Sequence, residues 1–510
     1  MENHQREYQF SNESIIAFVW RGALVGLIAG IVVSLFRLII EKVGGWVIML
    51  YHQSHQLPYL LILITLGSAL AVVLAGYLAH LEPDIKGSGI PHVEGELKGL
   101  LSPNWWSVLW KKFLGGILGI SAGFMLGREG PSIQLGAMSA KGLAKRLGAS
   151  HMERRVMIAS GAAAGLSAAF NAPIAGLLFV VEEIYHHFSR LIWISALVAS
   201  LVANIVSLKI FGLTPVLAMP SDLPTLTLKH YWLLLILGLL LGCLGYYYEV
   251  IILKISQWYQ SCASKIGLPT SLQALLTLPF IIMIGYYLPI LLGGGHQLIL
   301  QLAQASQPIM LLLVYFIIRF VISMLSFGSG LPGGIFLPIL TLGGLAGLII
   351  GSLFIHWQLI DASYATLFIV LGMAGYFAAV SKAPLTGMIL VTEMVGDFKP
   401  LMAIAVVTFV AYVMMDLLNG HPIYEAMLDK MTIQKPARTL EPTLIELTVT
   451  DKIAGKQVKD LNLPMDVLIT TQLNHHRTQV VTGNTQLEAG ATIFVVVNQN
   501  ELGQVRELLM

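Results

Sequence analysis

Apolar stretches of about twenty residues, several cut by Gly and Pro where a spanning helix should continue, constrain this chain more than any other feature. Ile15 to Ile40, Leu60 to Ala79, Tyr231 to Leu253, Met310 to Leu325 and Leu401 to Leu418 are candidate membrane helices. With 56% hydrophobic and 11% charged residues and a mean hydropathy of +0.76, most of the 510-residue chain has lipid as its solvent. In hydrocarbon an interrupted backbone leaves peptide groups unpaired, which is tolerated only where protein or a polar cavity satisfies them. The interruptions therefore point to a site for transport.

A net charge of +2 with no Lys/Arg run gives no reason to expect a nucleic-acid partner. Cys243 and Cys262 lack C-x-x-C spacing and read as packing residues. Residues 1–14 are a polar tail, and the apolar run after them is too long for a signal-peptide core. Between Lys141 and Arg155, five basic residues stand against the single acid Glu153, which predicts a cytoplasmic face.

An internal repeat is visible when Gly161 to Glu183 is set beside Gly372 to Met394. Ala172-Pro173 matches Ala383-Pro384, Gly176 matches Gly387, and Glu182 matches Glu393. Upstream of each copy lies another break, GREGP (Gly127 to Pro131) or GIFLP (Gly334 to Pro338). The breaks are separated by 42 residues in one half (173 − 131) and 46 in the other (384 − 338). Two halves with their breaks in the same places fit the repeat architecture of secondary transporters.

Three breaks, GSGIP (Gly87 to Pro91), GREGP and GGIFLP (Gly333 to Pro338), share glycines followed by a proline, the mark of a helix starting inside the membrane. A helix N-terminus offers unpaired N–H groups and about half a positive charge, so several converging termini bind an anion without a full charge. Glu129 is a carboxylate inside such a break, where an unpaired charge is expensive. It can take the anion's seat when ionised and leave it when protonated. The plainer role is a dipole partner. Glu182 and Glu183 end an apolar stretch, and only Glu182 has a counterpart in the repeat. Lys112 and Arg128 are basic residues near the same path: Arg128 is expected to be structural, while Lys112 stays open between structure and tuning the anion's potential.

Over about Ser14 to Lys430 these motifs, with NAPIAGLLFVVEE and the late tyrosine of GHPIYEAML, resemble the chloride channel/transporter (CLC) family. The resemblance implies an all-α polytopic domain (15–432) with broken, re-entrant helices and an inverted repeat, working as a proton-coupled chloride exchanger and a homodimer. It implies that Ser88, Tyr424 and the backbone N–H groups of Ile335 and Phe336 bind chloride. Gly87, Gly89, Gly127, Arg128, Gly130 and Gly334 shape the anion site. Glu129 gates it and carries protons, and Glu183 is the second proton-transfer group. No enzymatic activity and no metal or cofactor is expected, only chloride and protons as cargo. A bacterial inner membrane is the expected location. A passive chloride channel, or an exchanger of fluoride or nitrate, would share most of these motifs.

After a linker at 433–442, residues 443–510 are expected to form a small cytoplasmic α+β domain. Its strands are Leu444 to Val449, Val467 to Leu473 and Thr492 to Val497, with a terminal helix over Glu501 to Leu509. Ala454-Gly455-Lys456 and Gly483-Asn484-Thr485 resemble the RCK_C (TrkA-C) module, which implies a small regulatory ligand, cyclic dinucleotides among the candidates. His475, His476 and Arg477 are candidate phosphate contacts.

Overall fold

The computed structural model divides into two units, Met1–Lys430 and Met431–Met510. It describes residues 2–185, 190–219, 223–305, 307–432, 442–450, 453–461, 463, 467–474 and 477–498. The helices run α1 Glu2–Ser54, α2 Tyr59–Leu81, α3 Ile90–Leu97, α4 Trp105–Ser121, α5 Glu129–Arg146, α6 His151–Phe170, α7 Pro173–Phe179, α8 Arg190–Phe211 and α9 Tyr231–Lys265. They continue as α10 Leu278–Tyr287, α11 His296–Gln304, α12 Ile309–Gly328, α13 Phe336–His356, α14 Ala365–Ser381, α15 Pro384–Val395, α16 Leu401–Leu417 and α17 Ile423–Thr432. Seven helical stretches among the described residues are long and apolar enough to cross a bilayer, so the chain is an integral membrane protein.

Four of the five expected spans fall within α1, α2, α9 and α12; the fifth, Leu401 to Leu418, runs one residue past α16, a shorter apolar helix outside those seven stretches. The helix α1 begins at Glu2, so the segment set apart as a tail is helical; it holds no Gly or Pro to stop a helix. Cys262 is exposed on α9 and is not a packing residue, whereas Cys243 is half-buried.

The repeat is structural as well as textual. Asn171 and Lys382, each two residues before its proline, both adopt φ 55°, and Ala172 and Ala383 follow with φ −126° and −119°. Small residues let α5 cross α6 and α13 cross α14 in the same way: a Cβ on Gly161 would strike the Gly136 backbone, and one on Gly372 the Gly343 backbone. The halves run in opposite directions. Glu182, just beyond α7, accepts from the backbone N–H groups of Leu385 (3.0 Å) and Thr386 (2.6 Å) in the first turn of α15. Glu393, at the far end of α15, accepts from Ile174 (3.1 Å) and Ala175 (2.8 Å) in the first turn of α7. Each carboxylate thus caps the positive end of the other helix, which requires α7 and α15 to be antiparallel.

In the second unit, strands β1 Pro442–Thr448, β2 Leu468–Asn474, β3 Arg477–Val480 and β4 Thr492–Asn498 form an antiparallel sheet in the order β1-β4-β2-β3. β3 was not expected, being four residues with one apolar side chain. Leu447, Ile469, Leu487, Ile493, Val495 and Val497 contribute to its core. The two stretches that resemble TrkA-C lie side by side: Gly455 N–H donates to Leu487 O at 2.7 Å and Val458 N–H to Thr485 O at 3.1 Å. Residues 475, 476 and 501–509 lie outside the described residues, as does the Arg477 side chain.

Candidate anion site and proton-transfer groups

All three breaks open helices, and the proline falls in the first turn each time, where its missing N–H is not needed. α3 starts at Ile90, α5 at Glu129 and α13 at Phe336. Their backbones satisfy one another. Gly127 and Gly334 exchange hydrogen bonds (2.7 and 2.6 Å), Gly87 N–H donates to Leu331 O (3.2 Å) and Gly333 N–H donates to Gly87 O (3.0 Å). Gly89 sits at φ 90°, which an L side chain rarely adopts. Gly130 faces Ser88 closely enough that a Cβ would collide with it, and a Cβ on Gly334 would stand 3.1 Å from the Gly130 nitrogen. The N-terminal ends of α3, α5 and α13 therefore meet.

Lys112 has one clear task here. Fully buried on α4, its ammonium donates to Ile85 O (2.9 Å) and Gly87 O (2.7 Å), fixing the chain that leads into Ser88. Arg319 on α12 does the same for the break before α11, donating to the carbonyls of Leu291 (2.9 Å), Gly293 (2.7 Å) and Gly294 (2.5 Å). Sequence reading passed over Arg319, although it is the single cation in the apolar helix α12.

Ser88 and Tyr424 are buried, and neither hydroxyl has a hydrogen-bond partner among the described residues. A buried hydroxyl left unmet costs about 1–3 kcal/mol, so two of them at converging helix N-termini suit donation to something other than protein. Aromatic contacts bring Tyr424 to the start of α13: Phe179 meets Tyr424 edge-on at 6.4 Å and Phe336 at 6.2 Å, and Phe336 packs on Phe170 (5.3 Å) and Phe377 (4.5 Å). Ile335 and Phe336, both buried, bring first-turn N–H groups without intrahelical partners. Glu249 on α9, missed by sequence reading, fixes the turn into α17 by accepting from His421 N–H at 3.1 and 3.2 Å.

Glu129 is fully buried at the first position of α5. Its carboxylate lies in the field of its own N–H and that of Leu337 in the first turn of α13, in a well-formed hydrogen bond with neither. Arg128 does not lock it. The guanidinium is 2.7 Å from Glu41, which also bonds Arg37 at 3.0 Å, but 3.8 Å from Glu129. Arg128 thus sits in a cluster with Glu41 and Arg37, with Glu129 as the more distant of its two acidic neighbours.

Glu183 is 4% exposed and lies on a single π-helical turn, Val180–Tyr185, a distortion often found at functional positions. Its neighbour Glu182 is committed to α15. The fields that reach Tyr424 come from Glu183 and Glu129 among others, so the phenol lies within electrostatic reach of both carboxylates.

The sequence does contain one G-x-S-x-G, Gly119 to Gly123. Ser121 ends a helix there, buried and without a hydrogen-bond partner among the described residues, so it has neither the strand-to-helix elbow nor the base of a hydrolase nucleophile. No cluster of metal-binding side chains occurs among the described residues.

Fold and site together define a membrane protein whose centre is an anion-ready meeting of broken helices in an inverted repeat. The voltage gated chloride channel family model matches residues 67–416, and the TrkA-C domain model matches residues 443–510. The chain belongs to the voltage gated chloride channel (CLC) family. The H(+)/Cl(-) exchange transporter ClcA of Salmonella typhimurium is 34% identical over 441 residues, which is 84% of this chain and 91% of that protein. ClcA of Vibrio vulnificus is 35% identical over 430 residues, 81% and 90% of the two chains. Among solved structures, a slow cyanobacterial Cl-/H+ antiporter superposes with a TM-score of 0.76 at 29% identity, covering 82% of this chain and 98% of its own. A CLC-type fluoride/proton antiporter shares the fold, with a TM-score of 0.65 at 22% identity over 78% and 95%.

Proposed function

We propose that this protein is a proton-coupled chloride antiporter, with Ser88, Tyr424 and the N–H groups of Ile335 and Phe336 holding the central anion. Glu129 and Glu183 are its two proton-transfer groups. The observation that carries this reading is the placement of a buried, unlocked carboxylate, Glu129, where the N-termini of α5 and α13 meet beside two unpartnered hydroxyls. Ionised, Glu129 competes with chloride for the same N–H groups; protonated, it gives way. Weak, distributed binding suits an ion that must also leave. Exchange is supported by the two ClcA relatives, whose names state it.

The basic loop between α5 and α6 supports a cytoplasmic face at that end of the membrane domain; the proposed setting is the inner membrane of a bacterium, and the proposed assembly, by family resemblance, is a homodimer. Purified protein in liposomes, with chloride efflux and external pH recorded together, is expected to move protons inward and uphill, driven by chloride leaving down its own gradient. Chloride flux without proton movement would make it a passive channel.

The TrkA-C domain is a cytoplasmic regulatory module for a small ligand, with cyclic dinucleotides as first candidates. A ligand shifts transport only by the difference in its affinities for two transport states. A protein cut after Lys435 is expected to retain exchange, since every site residue precedes the cut, and to lose its response to any nucleotide found by calorimetry. Loss of transport in a cut protein that folds would make the domain part of the machinery.

A further inference from the structure

Two sets of polar bonds hold the helices that bring Ser88 and Tyr424 to the anion site. α3, which starts two residues after Ser88, is fixed to α5: Lys141 pairs with Glu96 and donates to Pro103 O at 2.7 Å. α17, which carries Tyr424, is fixed to α9 at both of its ends, where Glu249 accepts from His421 N–H and Lys430 donates to Leu253 O at 2.6 Å. Lys98, at the close of α3, crosses from the first set to the second. Its ammonium lies 2.8 Å from Glu94 on its own helix and 3.0 Å from Glu425, the residue after Tyr424. The apolar contact beside it is close: a Cβ on Gly95 of α3 would stand 2.8 Å from Leu428 of α17. Lys141 lies where α5 runs into the basic loop, so this seam is at the same end of the membrane domain as that loop.

The two halves of the Lys98 contact are unequal. The Glu94 side chain is 1% exposed and the Glu425 side chain 41%. When the helices part, the ammonium stays with Glu94 and the Glu425 carboxylate passes into water. No charge is left buried and alone, which is the costly outcome of breaking a buried pair, and an ion pair with an exposed partner is weak. The contact is therefore reversible at little cost.

We propose that Lys98 is a positioning residue for transport: it clips α17 to α3, and the anion held by Ser88 and Tyr424 reaches the cytoplasm when the ammonium lets go of Glu425. Release frees the start of α17, with Tyr424, to move away from α3, whose eight residues span about 12 Å between Ser88 and the clip. Loss of the clip leaves Glu129 and Glu183 in place, so it governs the rate of exchange and not its coupling to protons. This inference rests on the reading of Ser88 and Tyr424 as chloride donors.

Its test uses full-length protein in liposomes, with chloride and proton fluxes recorded together. Lys98→Met and Glu425→Gln are each expected to raise chloride turnover about two- to fivefold, the range set by one partly exposed ion pair, with the proton-to-chloride ratio unchanged. Both remove the same bond, so the double variant is expected to be no faster than either single one. Glu425→Lys sets two ammonium groups against each other and is expected to be at least as fast as Glu425→Gln; adding Lys98→Glu to it is expected to bring turnover back toward wild type. Unchanged or lowered turnover in both Glu425 variants overturns the clip, as does a double variant in which the two effects multiply. Should Lys98→Met fail to fold because Glu94 loses its partner, the two Glu425 variants, altered at a partly exposed side chain, decide alone. Ser88→Ala and Tyr424→Phe test the reading beneath: chloride binding equal to wild type by calorimetry in both would remove the hydroxyls from the anion seat, whatever the clip variants show.

Discussion

Glu129→Ala is expected to move chloride at least as fast as the unaltered protein while losing uphill proton movement by more than about tenfold. The carboxylate is the only acidic group at the junction of α5 and α13 among the described residues, and Arg128 lies closer to Glu41 (2.7 Å) than to it (3.8 Å). Truncation at the β-carbon removes the charge proposed to compete with chloride and the group proposed to carry the proton. It leaves the backbone hydrogen bonds between Gly127 and Gly334, which shape the junction, in place. The helix should survive, since Ala is the best helix former. Simultaneous chloride and pH recording decides the matter: persistent uphill proton movement in this variant would remove Glu129 from the proton path.

The three helix starts were legible because the physics that makes them is local. Glycines at φ 60° and 90° in Gly87 and Gly89, and prolines in the first turn, are requirements of a few residues each. The repeat was legible for the same reason, from its Ala-Pro, Gly and Glu anchors; the αL residue two places before each proline, Asn171 and Lys382, came only from the structure. Its inversion was not: aligned sequence reads the same whichever way a helix points, and the direction emerges only when Glu182 and Glu393 are seen capping each other's helices.

Long-range polar partners were the least legible part. Lys98 and Glu425 lie 327 residues apart and Glu249 and His421 172 apart, and neither pair follows from spacing along one element. A partial signal existed for Glu94 and Lys98, acid and base one turn apart directly after GSGIP, but exposed i,i+4 pairs are common and worth little. Burial of Glu94, which distinguishes this pair, arises from tertiary packing around α3, which lies against α5 and α6. Lys112 shows the converse. Its buried position was legible from an apolar helix, whereas its purpose needed the carbonyls of Ile85 and Gly87 to be brought to it.

Adjacent acids with opposite fates give the sharpest contrast for experiment. Glu183→Gln is expected to abolish proton uptake and spare chloride flux, because the amide keeps the size and polarity of the side chain but cannot carry a proton at this turn. Glu182→Ala should do the reverse of uncoupling: the proton-to-chloride ratio stays the same, while the protein unfolds more readily. Leu385 N–H, Thr386 N–H and the Thr386 hydroxyl, which donates to the same carboxylate at 2.7 Å, all lose their acceptor, at about 1–3 kcal/mol for each group that finds no other partner. Thermal unfolding in detergent and paired flux measurements on both variants separate the roles. Equal loss of chloride and proton flux in Glu183→Gln would make that residue structural. A changed ratio in a stable Glu182→Ala protein would put the helix cap on the proton path.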